Sequence, residues 1–97
     1  MKEKLILLVD DDRELLELLR SVFERAGYRR LLTAVSGREA LELWREKKPD
    51  LIVLDVMMPG MDGFSVLREI RRGSRVPVLM LSARSEAEDR IAGLECG

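Results

Sequence analysis

The sequence contains no histidine and a single cysteine, Cys96, among its 97 residues. Without histidine, catalysis by an imidazole base and the usual zinc sites are excluded. One cysteine cannot form an intramolecular disulfide, so we expect a cytoplasmic protein. No apolar run approaches the length of a membrane span, and the apolar stretch at residues 5–9 is too short for a signal peptide. The sequence therefore indicates neither a membrane protein nor a secreted one.

An excess of charge of either sign is also absent. The chain has 17 basic and 18 acidic residues, which gives a net charge of −1. This balance is typical of neither a basic nucleic-acid-binding arm nor an acidic tail, so we expect this chain itself to bind no nucleic acid. A hydrophobic content of 46% indicates a globular protein, and the length allows one domain over residues 1–97.

Short apolar runs alternate with amphipathic stretches along the chain. Four runs are predicted to be strands, at residues 5–9, 31–35, 51–54 and 76–81, and those at 5–9 and 51–54 have the pattern of strands buried on both faces. Apolar residues at helical spacing follow each run, so the predicted order is strand–helix, four times. Parallel strands require such crossovers. The pattern therefore predicts an α/β fold with a doubly wound parallel sheet.

Residues that begin and end helices support this order. Gly27 is predicted to end the first helix, and Pro49 the region of the second. Ser36 and Glu39 form a Ser-x-x-Glu capping box, which predicts the start of the second helix. The same box recurs at residues 85–88, before the predicted fourth helix.

Carboxylates and a hydroxyl follow three of the predicted strands. Asp10 and Asp11 follow the first strand, Asp55 the third and Ser82 the fourth. Sites in open α/β sheets form outside the carboxyl ends of strands, so these side chains should converge if the strands are neighbours. Neighbouring carboxylates repel one another, and a hard divalent cation such as Mg²⁺, Mn²⁺ or Ca²⁺ relieves that repulsion. The set suits phosphoryl chemistry with a carboxylate nucleophile.

A purely structural interpretation exists for each of these residues. An aspartate after a strand often caps the next helix, and for Asp12 we prefer that interpretation. One cap requires one residue, so capping does not explain Asp10 and Asp11 together. Between Asp55 and the next helix lies a stretch containing Met, Pro and Gly, which argues against a cap there. Taken alone, Ser82 would be an ordinary loop hydroxyl.

Three segments resemble the receiver domain of two-component response regulators. They are residues 8–12 (LVDDD), 54–63 (LDVMMPGMDG) and 76–83 (VPVLMLSA). The stretch over residues 83–95 is similar to the subfamily that carries a winged-helix DNA-binding domain. The resemblance spans the chain. It implies a flavodoxin-like sheet of strand order 2-1-3-4, and control of transcription through an output domain in the parent protein.

The resemblance also implies roles for individual residues. Asp55 corresponds to the aspartate that accepts a phosphoryl group from a sensor histidine kinase. Asp10 and Asp11 match the acidic pair that holds Mg²⁺ or Mn²⁺ with Asp55, Asp11 directly and Asp10 mainly through water. Met57 falls where a backbone carbonyl completes the metal shell. Ser82 matches the switch hydroxyl that turns toward the phosphoryl group.

The chain departs from the family at its C-terminal end. The family has a fifth strand and a fifth helix, whereas this chain stops at Gly97, roughly 20–25 residues earlier by ordinary element lengths. The family's lysine at the end of the fifth strand is absent as well, so we expect impaired phosphoryl transfer. The predicted fourth strand would then form an apolar, uncharged edge. Such an edge predicts a homodimer or a domain-swapped oligomer.

Two other functions remain open on the sequence alone. A phosphatase of the haloacid-dehalogenase type also uses an aspartate nucleophile and Mg²⁺, but it places a second aspartate two residues later, where this chain has Met57. An interaction module derived from a receiver domain, or an engineered fragment, would have lost phosphorylation. A signalling receiver, by contrast, modifies only itself at Asp55 and turns over no external substrate, so we expect no enzyme in the ordinary sense.

Overall fold

The computed structural model describes residues 3–55 and 62–81. Within these residues, three helices alternate with four strands: β1 (Leu5–Val9), α1 (Arg13–Arg25), β2 (Arg30–Ala34), α2 (Gly37–Lys47), β3 (Leu51–Asp55), α3 (Gly63–Arg71) and β4 (Val78–Leu81). The strands form one parallel sheet of order β2-β1-β3-β4. The predicted α/β class and the strand order are confirmed. The predicted fourth helix lies outside the described residues.

Helices cover both faces of this sheet. On one face α2 and α3 enclose a core that includes Leu7, Ile52 and Met80. On the other face Leu16 of α1 packs over a second cluster that includes Leu8. Alternate strand residues face opposite sides, and in the two central strands β1 and β3 both sides are covered, so these two strands are apolar runs up to Asp55. None of the described helices is long and apolar enough to span a bilayer.

Three of the strands differ from the prediction. The strand predicted at 51–54 extends one residue further, to Asp55. The strand predicted at 31–35 is observed one residue earlier, because the N–H of Val35 donates to Glu39 Oε1 at 2.8 Å instead of continuing the ladder. The strand predicted at 76–81 begins only at Val78. Pro77 has no N–H to donate, and the N–H of Val76 is bonded to Ser74 Oγ at 3.1 Å.

Both ends of α1 follow the predicted chemistry. The Asp12 side chain caps the helix by accepting two amides of its first turn. At the other end Gly27 has a φ of 100°. Its N–H donates to the Glu24 carbonyl at 3.0 Å, and the Tyr28 N–H donates to the Phe23 carbonyl at 3.1 Å. These two bonds make a Schellman motif, and the rings of Phe23 and Tyr28 pack edge to face across it.

The capping box of α2 forms, but one of its two hydrogen bonds is shifted by one residue. Ser36 Oγ accepts the Glu39 N–H at 3.1 Å, as predicted. The Glu39 carboxylate, however, reaches back to the N–H of Val35 and not to that of Ser36. The helix ends before Pro49, with Lys48 in the left-handed conformation at a φ of 50°.

Candidate functional site

Three aspartates meet at the carboxyl ends of β1 and β3. Asp10 and Asp11 directly follow β1, and Asp55 is the last residue of β3. One carboxylate oxygen from each of the three lies within 4.8 Å of the others. The two strands are parallel neighbours in the sheet, so their carboxyl ends reach the same edge. The convergence that the strand ends predict is therefore observed for these three residues.

Two of the three carboxylates are buried. Asp10 is 2% exposed and Asp55 is 5% exposed, whereas Asp11 lies on the surface. Burial raises the pKa of the Asp10 carboxyl, because the charged form loses its hydration, and the nearby charge of Asp11 raises it further. The hydrogen bond from the Asp12 backbone N–H and a side-chain hydrogen bond with Asp55 lower the pKa of Asp10 and so oppose this shift. Without a nearby positive charge, the site therefore disfavours the ionised form of Asp10.

Asp12 contributes to two features at once. Its backbone contacts the acidic cluster, and its side chain caps α1. Its N–H donates to Asp10 Oδ1 at 2.9 Å, while its own Oδ1 accepts the amides of Glu14 and Leu15 at 3.0 and 3.3 Å. The cap is predicted from the sequence, but the contact with Asp10 is not. A signal exists for it, since an aspartate commonly binds the backbone N–H two residues later.

The donor set fits a hard divalent cation. The cluster offers three carboxylate oxygens within mutual reach, and the chain has no histidine to favour a transition metal. A cation would offset the repulsion between the buried Asp10 and its two acidic neighbours. Asp10, Asp11 and Asp55 could therefore hold a metal ion of the Mg²⁺ type.

The two remaining predicted site residues, Met57 and Ser82, lie outside the described residues. The last described residue before Ser82 is Leu81, which is paired with Asp55 in the register of β3 and β4. The roles of Met57 and Ser82 therefore stay predictions.

Comparison with known proteins decides the family. The family model "Response regulator receiver domain" matches residues 6–97. The chain belongs to the response regulator receiver domain family. Two solved receiver structures are similar to it, each 36% identical in sequence. The receiver domain of the Francisella response regulator 1452 has a TM-score of 0.85, with 98% of this chain and 78% of that chain covered. The N-terminal domain of a response regulator receiver protein from Methanoculleus marisnigri has a TM-score of 0.83, with 96% and 77% covered.

Longer receiver-containing relatives are transcriptional regulatory proteins. AfsQ1 from Streptomyces coelicolor is 48% identical over 92 residues, which is 95% of this chain and 40% of that protein. YvrH from Bacillus subtilis is 42% identical over 97 residues, which is 100% of this chain and 41% of that protein. The chain thus spans about two fifths of the length of these relatives. The predicted resemblance to response regulators is confirmed.

Proposed function

We propose that this receiver domain is a cytoplasmic phosphorylation switch whose Asp55 accepts a phosphoryl group from a sensor histidine kinase. In the parent protein, the modification would control transcription through an output domain. The observation that supports this proposal is the cluster of Asp55 with Asp10 and Asp11 at one sheet edge. A buried carboxylate beside two further carboxylates is placed to bind a cation and act as a nucleophile in one location.

In the proposed reaction, a carboxylate oxygen of Asp55 attacks the phosphorus atom of a phosphohistidine. The new O–P bond forms an acyl phosphate as the P–N bond breaks, and the imidazole nitrogen keeps the electron pair. Asp10, Asp11 and Asp55 would hold Mg²⁺ or Mn²⁺, with the Met57 carbonyl as a further ligand. When bound, such an ion supplies positive charge opposite the phosphoryl oxygens. The Ser82 hydroxyl would donate a hydrogen bond to the transferred group.

The neighbours of Asp55 have distinct tasks in this proposal. Asp10 is oriented by the N–H of Asp12 at 2.9 Å, so its carboxylate is fixed before any ligand arrives. Asp11 is exposed and therefore lies where an incoming ion first meets the site. This preorganisation keeps the reorganisation on binding small, which favours charge stabilisation during transfer.

Phosphorylation of the 97-residue chain by acetyl phosphate and by a phosphorylated kinase domain tests the proposal. Intact-mass spectrometry should show one added phosphoryl group that requires Mg²⁺ and is lost in Asp55→Asn. Asp50→Asn is the matched control, because Asp50 lies at the other end of the sheet, where it accepts the Leu5 N–H at 2.8 Å. Failure of the wild-type chain to accept phosphate, or equal labelling of Asp55→Asn, would favour an interaction module without phosphorylation.

A further inference from the structure

Asp12 makes two kinds of contact at the boundary between β1 and α1. Its backbone N–H donates to Oδ1 of Asp10 at 2.9 Å. Its side-chain Oδ1 accepts the N–H groups of Glu14 and Leu15, at 3.0 and 3.3 Å. Asp12 contributes no oxygen to the acidic cluster itself. Any effect of the Asp12 side chain on the orientation of Asp10 therefore passes through the backbone of Asp12.

The covalent geometry of Asp12 links these two sets of hydrogen bonds. The residue has φ −89° and ψ 107°, and only a few rotatable bonds separate its N–H from its carboxylate. While the cap is formed, these torsions stay in one well and the N–H keeps its direction toward Asp10. Without the cap, two amides of the first turn of α1 lose their acceptor, and the torsions of Asp12 sample other wells. The Asp10 carboxylate then loses its donor for part of the time.

The side chain of Asp10 depends on this donor more than its backbone does. The backbone N–H of Asp10 donates to the Ala34 carbonyl at 3.1 Å, but that bond does not restrain the side-chain torsions. Asp10 is 2% exposed, so water has little access to replace a lost donor. A backbone N–H can only donate, so it favours the carboxylate of Asp10 as an acceptor, and the carboxylate is the form that a cation binds.

We propose that Asp12 is a positioning residue whose side chain, through the cap of α1, raises the affinity of the acidic cluster for a divalent cation. The inference rests on the proposed function, in which Asp10, Asp11 and Asp55 hold Mg²⁺ or Mn²⁺. The coupling is reciprocal, because two events that favour the same conformation of Asp12 favour each other. A bound cation therefore also strengthens the cap at the first turn of α1. Asp12 is exposed, so truncating its side chain leaves no cavity in the core.

Replacing Asp12 by Asn and by Ala separates the cap from the charge. Both variants remove one negative charge near the cation, but only Asn keeps a side-chain oxygen for the cap. Mn²⁺ binding to the full 97-residue chain is measured by electron paramagnetic resonance of the free ion, at a temperature where circular dichroism shows every variant folded. We expect the dissociation constant of Asp12→Ala to be about two- to fivefold larger than that of Asp12→Asn. Asp12→Ser also keeps a capping oxygen and should bind as Asp12→Asn does.

Gly27→Ala is the matched control, because it destabilises the same helix at the end remote from the cluster. Gly27 has a φ of 100°, where a Cβ atom is strained. This variant should lose about as much stability as Asp12→Ala and bind Mn²⁺ as the wild type does. Equal weakening of Mn²⁺ binding in Gly27→Ala and Asp12→Ala would overturn the proposal, since a general loss of helix stability would then explain both. Equal dissociation constants for Asp12→Asn and Asp12→Ala would overturn it as well.

Amide exchange measured by NMR tests the reciprocal effect without any substitution. Saturating Mg²⁺ should slow exchange of the Glu14 and Leu15 N–H groups about two- to fivefold, because these amides bind the Asp12 cap. The reference is the Glu39 N–H, which Ser36 Oγ caps at 3.1 Å on α2 and which should change little. Unchanged exchange at Glu14 and Leu15 with Mg²⁺ bound contradicts the proposal.

The same measurements distinguish failure of this inference from failure of the proposed function. If the wild-type chain binds neither Mn²⁺ nor Mg²⁺, the proposed metal site is wrong and the role of Asp12 is wrong with it. If the wild-type chain binds the ions but shows none of the expected differences, the proposed function stands and only the role of Asp12 is overturned.

Discussion

The backbone N–H of Asp12 donates a 2.9 Å hydrogen bond to Oδ1 of Asp10, while the Asp12 side chain caps α1. One residue thus connects the first turn of a helix to a buried carboxylate of the acidic cluster. The backbone of Asp10 is held as well, because its N–H donates to the Ala34 carbonyl at 3.1 Å. The position of Asp10 is therefore determined by both α1 and β2 before any ligand binds.

Replacing Asp10 by Asn should stabilise the metal-free protein. Burial raises the pKa of Asp10, so its carboxyl binds a proton more tightly in the folded than in the unfolded chain. That preference favours folding below the unfolded pKa and is lost as the pH rises through the folded pKa. Asn is neutral throughout and keeps an oxygen for the Asp12 N–H. We expect thermal unfolding with EDTA at neutral pH to show a midpoint a few degrees higher.

The control for this experiment is Asp50→Asn. Because Asp50 lies away from the cluster, this substitution should leave the unfolding midpoint nearly unchanged. A lower midpoint for Asp10→Asn would mean that the negative charge of Asp10 is already compensated in the metal-free protein.

Added Mg²⁺ should raise the unfolding midpoint of the wild-type chain. A ligand that binds only the folded state adds about 2.7 kcal/mol of stability at a hundredfold excess over its dissociation constant. Asp11→Ala should remove this response, since it deletes one of the three carboxylates of the cluster. Glu14→Ala is the comparison, because Glu14 is an exposed acidic residue of α1 outside the cluster. Calorimetry with and without Mg²⁺ measures both, and an equal loss in the two variants would argue against a specific site.

Asp62 should stabilise α3 in a pH-dependent manner. Its Oδ1 accepts the Ser65 N–H at 2.8 Å, and this bond lowers the pKa of Asp62. Its contribution is therefore present above the unfolded pKa and is lost as the pH falls through the folded value. Asp62→Ala should cost about 1 kcal/mol at neutral pH. Asp62→Asn keeps an acceptor and should cost less. Urea unfolding at neutral pH and at about pH 3 should show the alanine penalty shrinking on acidification.

The sequence predicts most of the fold because apolar runs, helical periodicity and capping residues indicate where its strands and helices lie. β1 and β3 are continuous apolar runs, since they are buried on both faces. The prediction places β2 one residue too late and begins β4 two residues too early, because hydrophobic periodicity does not contain the contacts made by side chains near the strand ends. The Val35 N–H is taken by Glu39, and the Val76 N–H is taken by Ser74.

The candidate site also combines features that the sequence pattern predicts with features that depend on the folded structure. Asp10, Asp11 and Asp55 are predictable because each lies at or directly after the end of a strand, and strand order then places those ends together. The contact of the Asp12 N–H with Asp10 depends on a turn conformation. The groove lined by Trp44, Lys48 and Gly73 depends on how α2 and α3 pack, so neither spacing nor composition predicts it.

Gly27 should be far less tolerant of alanine than Gly73. Gly27 has a φ of 100°, where a Cβ atom is strained, whereas Gly73 lacks a positive φ and has room for a Cβ at 3.9 Å from Trp44. We expect Gly27→Ala to cost about 1 kcal/mol and Gly73→Ala to be nearly neutral. Urea unfolding of the two variants compares them directly. Equal losses would mean that the Schellman geometry at the end of α1 is not what stabilises this turn.

Copies of the 97-residue chain should associate through β4. Among the described residues β4 is an outer strand, paired with β3 on one side. Leu79 on this strand is 36% exposed. An apolar outer strand presents backbone donors and acceptors to a second chain, and a lysine there opposes such pairing. We therefore expect sedimentation to show dimers or larger species for the wild type, and Leu79→Lys to shift the chain toward the monomer.

Leu18→Lys is the control, because Leu18 is 59% exposed on α1. If Leu18→Lys alone dissolves the association, the contact lies on α1 instead; a monomeric wild type at high concentration rules out pairing through β4.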